Sequence, residues 1–257
     1  MSYPRTSGEG ISINDDMFSQ SAYPIRFEWG PEGVDRLAPL SGVVVIVDVL
    51  SFCTSVDIAV SKDAMVFPYR YHDQSASAFA QSIHALLADK RGQGFSLSPS
   101  SLLSLPSQSR IVLPSPNGST CTVLAQENGA LVIAGCLRNA SQVAAFIKRH
   151  YAHETISVIA CGEQWPNGRL RPALEDFLGA GAILSQLDPW ALSVEAQVAA
   201  WAFQNAQANL SNIIMQSSSG RELTVKGFTA DVLIASECNV STVIPVLKDG
   251  AYVGASL

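Results

Sequence analysis

GVVVIVDVL, residues 42–50, is an unbroken run of apolar, mostly branched residues interrupted by one carboxylate. A strand with one wet face alternates polar and apolar side chains. A run without alternation is a strand covered on both faces, the signature of a parallel sheet buried between helices. A helical segment, TSVDIAVSKDA (54–64), follows at once, and the same pairing recurs along the chain. MVFPY (65–69) precedes SASAFAQSIHALLADKR (75–91), and RIVLP (110–114) precedes a helix from about Ser119 to Asn128. ALVIAG (130–135) precedes NASQVAAFIKRHY (139–151), and TISVIAC (155–161) precedes PALEDFLGAGAILSQL (172–187). Strands alternating with helices predict an α/β protein, a three-layer α/β/α domain on a mainly parallel sheet.

Residues 1–22 are polar and read as a loose tail, leaving 23–257 as a single domain. The part from 190 to 240 is expected to be mostly helical. TVIPVLKDGAYV (242–253) predicts a closing hairpin around Asp249-Gly250, a pair that favours tight turns. The Ser/Pro/Gly-rich stretch 92–109 is too long for a plain connection and reads as an insertion in preference to a mobile flap.

The 257 residues are 47% hydrophobic and 15% charged, with a formal net charge of −6. That allows a large core, argues against disorder, and disfavours nucleic acid, which is held by clustered Lys and Arg. Lys148, Arg149 and His150 form the densest basic group and suit a helix C-terminus. Five widely spaced cysteines without a C-x-x-C pair argue against a disulfide framework or zinc ribbon. The chain opens without a signal sequence and has no apolar run near the roughly 20 residues of a membrane span. A reduced, soluble, cytoplasmic protein is expected.

Ligands of such sheets sit beyond the carboxyl ends of the strands. The first run delivers Asp48, then Ser51, Cys53, Thr54 and Ser55. RIVLP delivers SPNGST (115–120), in which Gly118 permits close backbone approach and a helix N-terminus presents free amides and a positive dipole. TISVIAC delivers Cys161, Gly162 and Glu163, followed by Arg169, Arg171 and the pair Glu175-Asp176 in the first turn of a helix. Adjacent helical positions point about 100° apart, so this pair is not expected to chelate one ion with both carboxylates. The run GAGA (179–182) reads as close helix packing. His150 and His153 are placed on an exposed helix end.

No nucleotide-binding, zinc-protease or serine-hydrolase motif is present. The available tools are carboxylates, hydroxyls, amides and arginines, which suit magnesium-assisted chemistry on a phosphate ester.

Read together, VVVIVDVLSFCTSVDIAV (43–60), LPSPNGSTCT (113–122), ACGE (160–163) with RPALEDFLGAGAIL (171–184), and SGRELTVKGFTADV (219–232) resemble the 2-phosphosulfolactate phosphatase family. The resemblance runs from about residue 25 to 250. It implies an α/β/α fold and Mg2+-dependent hydrolysis of a phosphomonoester on a small acidic metabolite, 2-phosphosulfolactate or a related phospho-hydroxy acid. It makes Asp48, Glu175 and Asp176 the metal and water-handling acids, and Asn117 with Ser115, Gly118, Ser119 and Thr120 the phosphate cradle. Cys161 and Gly162 become the strand-end wall, and Arg221 and Asp231 are weaker carry-overs. Members of the family commonly read D-V-L-R-A where this chain has Asp48-Val49-Leu50-Ser51-Phe52, so an arginine is missing at Ser51. Arg169 or Arg171 is expected to replace its charge. The expected partner is a small phosphorylated anion, with no nucleic acid and no membrane; a homodimer is left open.

Rival readings are a dehalogenase-like phosphatase, which needs an Asp at Leu50, a thiol hydrolase using Cys161 with Asp48, and an anion-binding protein without turnover.

Overall fold

The structure is a computed structural model that describes residues 18–257. Its first half contains β1 (Ile25–Trp29), α1 (Gly30–Leu37), β2 (Val43–Val47), α2 (Phe52–Val60), β3 (Met65–Tyr69), α3 (Gln74–Ser82), β4 (Leu86–Leu87), α4 (Pro99–Leu102), β5 (Arg110–Pro114) and α5 (Gly118–Glu127). There follow β6 (Leu131–Gly135), α6 (Ala140–His150), β7 (Ile156–Ala160), β8 (Glu163–Gln164), β9 (Leu170–Arg171) and α7 (Leu174–Leu184). Helices α8 (Val194–Ala206), α9 (Leu210–Gln216), α10 (Ser218–Val225) and α11 (Thr229–Ala235) precede a final hairpin of β10 (Ile244–Lys248) and β11 (Ala251–Ala255).

Nine strands form one sheet in the order β1-β7-β2-β6-β10-β11-β3-β5-β4. Two parallel blocks, β1-β7-β2-β6 and β3-β5-β4, flank the antiparallel hairpin. The hairpin joins the two blocks, with β10 beside β6, where Val246 faces Ile133, and β11 beside β3, where Tyr252 faces Val66. Asp249 and Gly250 both adopt positive φ, 50° and 79°, as a twist-matched two-residue turn requires.

Strand β2 lies between β7 and β6, and the missing alternation is explained by what covers each face. Val43, Val45 and Val47 pack into a core with Val143 of α6, Ile183 of α7 and Ala196 of α8. Val44 and Ile46 pack into a second core with Val34 of α1, Val56 of α2 and Cys121 of α5. Each such side chain contributes roughly 1.5–3 kcal/mol by leaving water, so a polar residue at any of the five positions would be costly.

The GAGA segment is a close-packing surface, as expected. A Cβ on Gly181 would lie 2.1 Å from the carbonyl oxygen of Ala199 in α8. Gly181→Val is therefore expected to cost about 2–3 kcal/mol of overpacking, read as a lower urea midpoint with unchanged slope. A native midpoint would show that α7 and α8 are not held at this separation.

One local reading is corrected and two features are added. The helix expected over 75–91 ends at Ser82. His84 then takes φ 52°, and Leu86 and Leu87 pair with Ile111 and Val112 at the sheet edge, so edge pairing outweighs helical propensity. The 92–109 insertion is anchored: Leu102 and Leu105 are core residues, and Ser96, Ser98 and Ser101 bond to one another. Strand β1 escaped notice because Arg26 and Glu28 break the apolar pattern of an edge strand that pairs on β7. Of the expected tail, residues 1–17 lie outside the described residues. Residues 18–22 form a turn in which the Gln20 side-chain amide donates to the carbonyl oxygen of Phe27 at 2.8 Å and accepts from its amide at 3.2 Å.

Candidate active site

The ends of β2, β5 and β7 and the start of α7 converge on four carboxylates. Asp48, one residue beyond β2, is 5% exposed. Its Oδ1 accepts from the Phe52 amide at 3.0 Å, taking one of the free amides that open α2, and its Oδ2 accepts from the Gly118 amide at 3.0 Å. Asp176, 3% exposed, ties two strand ends together: Oδ1 accepts from the Val49 amide at 2.7 Å and Oδ2 from the Gly162 amide at 2.9 Å. Glu163, after β7, accepts from the Asn117 side-chain amide at 2.8 Å. Glu175 is 2% exposed, and no described amide or side chain donates to it.

Burial and neighbouring negative charge raise three of these acids, Asp48, Glu163 and Asp176. Burial, opposed by its two amide bonds and reinforced by Glu175, lifts the Asp48 carboxyl to about 6. Burial, with Asp48 and Glu175 adding to it, lifts Glu163 to about 7 against the pull of Asn117 and Arg171. Asp176 is pushed up by burial first and then by Asp48 and Glu175. Four acids gathered this way favour a cation or shared protons.

The site thus brings together Asp48, Asn117, Gly118, Glu175 and Asp176, and it adds Glu163, which the sequence delivers to the same strand end without marking it as a site residue. Its signal was the side-chain reach of Asn117, which only the fold reveals. The three acids expected as metal ligands are held differently from one another. Among the described residues no group of three or more His, Cys, Asp or Glu is placed to hold a metal ion. Asp48 and Asp176 each direct both oxygens at backbone amides; of the trio, only Glu175 is left without such bonds. Magnesium still fits, because it commonly takes one or two carboxylates and keeps its waters, and a buried carboxylate without a donor is the kind of ligand it takes.

The cradle also changes. The Gly118 amide faces Asp48 and the Ser115 hydroxyl, 3.1 Å away, in place of an anion. Ser119 is fully buried and donates to the Leu113 carbonyl oxygen at 2.9 Å, and Thr54 donates to that of Val49 at 2.8 Å, so neither hydroxyl is presented to a ligand. The amides of Ser119 and Thr120 have no acceptor among the described residues, and that of the half-buried Thr120 is open to an anion.

Of the arginines, Arg171 lies by the site. It donates to the Ser219 hydroxyl at 3.1 Å, stacks 5.7 Å from the Trp165 ring centre and stabilises ionised Glu163. Arg169, at the tip of the β8–β9 hairpin, and Arg221, on α10, are exposed. The guanidinium at Ser51 comes from Arg91, whose Nη2 donates to the Ser51 hydroxyl at 3.1 Å. Sequence reading missed it because Arg91 stands 40 residues away at the base of the insertion.

Electrostatics disfavours the thiol reading. Cys161 is 1% exposed, and its thiol is pushed well up by burial, by Cys121 and by Asp48, the opposite of what a nucleophilic thiolate needs. Cys161→Ala is expected to leave kcat within about threefold of native, whereas losing a thiol nucleophile costs orders of magnitude. A loss of that size in steady-state assay would restore the thiol mechanism.

Among the described residues no helix is long and apolar enough to cross a membrane. A family model described as 2-phosphosulpholactate phosphatase matches residues 31–250. A protein of Thermotoga maritima named probable 2-phosphosulfolactate phosphatase is 28% identical over 229 residues, covering 84% of this chain and 96% of its own. One of the same name from Pseudothermotoga lettingae is 25% identical over 218 residues, covering 82% and 92%. The 2-phosphosulfolactate phosphatase of Methanothermobacter thermautotrophicus is 28% identical over 216 residues, covering 82% and 88%.

Proposed function

The chain belongs to the 2-phosphosulfolactate phosphatase family, and on that premise we propose that it is a magnesium-dependent phosphatase of a small, acidic phospho-hydroxy acid, 2-phosphosulfolactate or a relative. The observation that carries this reading is Glu175, a buried carboxylate with no described donor, facing Asp48, Glu163 and Asp176 beside the free amides of α5.

Glu175 would hold the ion, with Asp48 beside it through water. When bound, magnesium would neutralise charge on the phosphoryl oxygens and favour deprotonation of a water. The residues of the chain do the rest. The Thr120 amide orients the phosphoryl group and stabilises its charge at the N-terminus of α5. Glu163, with one oxygen held by Asn117, is placed to take the proton of the attacking water. Asp176 clamps the Val49 and Gly162 amides and so holds the two strand ends at a fixed separation.

A release assay for inorganic phosphate over a panel of phosphorylated hydroxy acids tests this. Chelation by EDTA is expected to lower the rate roughly 100-fold or more, with recovery on adding magnesium. Release indifferent to chelation would remove the metal. Binding without release from any panel member, in excess magnesium, would leave an anion-binding protein.

A further inference from the structure

Arg91 has more order than a surface arginine needs. Its Nη1 pairs with Asp231, which is fully buried and also accepts from the Ser98 hydroxyl at 2.7 Å and the Ser100 amide at 3.0 Å. Its Nη2 donates to the carbonyl oxygen of Leu97 and the hydroxyl of Ser51, both at 3.1 Å, and the Phe228 ring centre lies 5.4 Å from its guanidinium carbon. A guanidinium has five N–H donors. Nε–H and the second Nη1 hydrogen have no acceptor among the described residues.

Beside it is a cavity of about 340 Å³, bounded by His72, Lys90, Arg91, Leu97, Pro114 and Pro116. Asp89 is the one acid on its wall, beside Lys90, Arg91 and His72. Arg91 is balanced by Asp231 and Lys90 by Asp89, so the cavity offers directed N–H donors with little net charge. The cavity is connected to the acids through Pro116, the neighbour of Asn117, and through Arg91, which bonds Ser51. Arg91 also acts on the site electrostatically, favouring ionised Asp48.

We propose that this cavity is a second anion subsite, in which Arg91, pre-positioned by Asp231 and Ser51 and assisted by Lys90, binds the carboxylate or sulfonate of the substrate remote from its phosphoryl group. The inference rests on the phosphatase reading and sharpens it, because it makes a second anion a requirement of the substrate. Anchoring by Asp231, Leu97 and Phe228 means that little side-chain freedom is lost on binding, so an open N–H of Arg91 can donate to an oxyanion at low entropic cost.

Two measurements test it. In the first, the kcat/KM ratio of the best acidic phospho-hydroxy acid over 4-nitrophenyl phosphate, which has no second anion, is compared between native protein and Arg91→Lys, Arg91→Ala and Lys90→Ala. The ratio is expected to fall about 10–100-fold in Arg91→Ala, less in Arg91→Lys, and about threefold in Lys90→Ala, mostly through KM of the acidic substrate. An unchanged ratio in Arg91→Lys and Lys90→Ala, which keep the buried Asp231 paired, overturns the subsite even if Arg91→Ala does not fold. The second measurement needs no turnover: calorimetric titration of sulfolactate and of lactate, neither carrying phosphate, into native protein and Arg91→Lys. Binding of both at similar affinity assigns the subsite to the carboxylate, and binding of sulfolactate alone assigns it to the sulfonate, each weakened in Arg91→Lys. Failure of both to bind the native protein, or equal binding to Arg91→Lys, overturns the proposal. Absence of phosphate release with sulfolactate still bound would instead count against the phosphatase reading.

Discussion

Glu175→Gln is expected to lower phosphate release by about 10²–10³-fold while leaving the metal-free protein at least as stable as the native chain. The two effects have one cause. Glu175 is nearly fully buried, receives no described hydrogen bond, and repels Asp48, Glu163 and Asp176. A neutral side chain of the same shape removes that repulsion, and each kcal/mol recovered would raise Tm by about 2–4 °C in a chain of this size. Magnesium should reverse the order. An ion that binds only the folded state stabilises it by mass action, so Tm of the native protein should rise with magnesium and that of Glu175→Gln should not. Thermal melts with and without the ion separate the outcomes. Equal magnesium shifts in both proteins would place the ion elsewhere, and retained turnover would remove Glu175 from the chemistry.

Gly118→Ala is expected to lose both stability and rate, although it adds a single methyl group. Its Cβ would lie 2.4 Å from Cδ1 and 2.6 Å from Cγ of Phe52, and 2.7 Å from Oδ2 of Asp48. The Phe52 ring cannot give way easily. It is fully buried and meets the Tyr252 ring edge-on at 6.1 Å, and the Tyr252 hydroxyl is bonded to Thr122 at 2.8 Å. Relief must come from moving α5 or Asp48, at about 1–3 kcal/mol of overpacking strain. Either movement disturbs the amide-to-carboxylate bond that seats Asp48, and displacements near 1 Å can cost about 100-fold in rate. Urea unfolding and kcat/KM measured on the same preparation test the coupling. A native midpoint with native kinetics would mean that the approach of α5 to Asp48 is looser than these distances.

Position 118 also shows how differently the residues of the site are encoded. Glycine there is legible from sequence as a demand for close approach, but the neighbour is a carboxylate and a ring, not the phosphate that SPNGST suggests. Glu175 and Asp176 were legible as a pair that cannot serve one ion together, yet which of them is tied down depends on amides 14 and 127 residues away. Arg91 was not legible at all. Ser51 announces a missing charge, and the replacement arrives through an ion pair with Asp231, 140 residues further along the chain.

The amino-acid sequence determined the layered architecture: β-branched runs without alternation, separated by helical segments, can hide their side chains only in a sheet covered on both faces, and that pattern is local. It likewise determined which strand ends carry acids, because a carboxylate at the end of an apolar run stands out. The tertiary structure alone decided how those acids divide their work. Backbone amides from distant loops engage Asp48 and Asp176, Asn117 engages Glu163, and Glu175 is left open. Hydrogen bonding and burial set that division through partners remote in the chain, and no spacing of residue types along a segment encodes them.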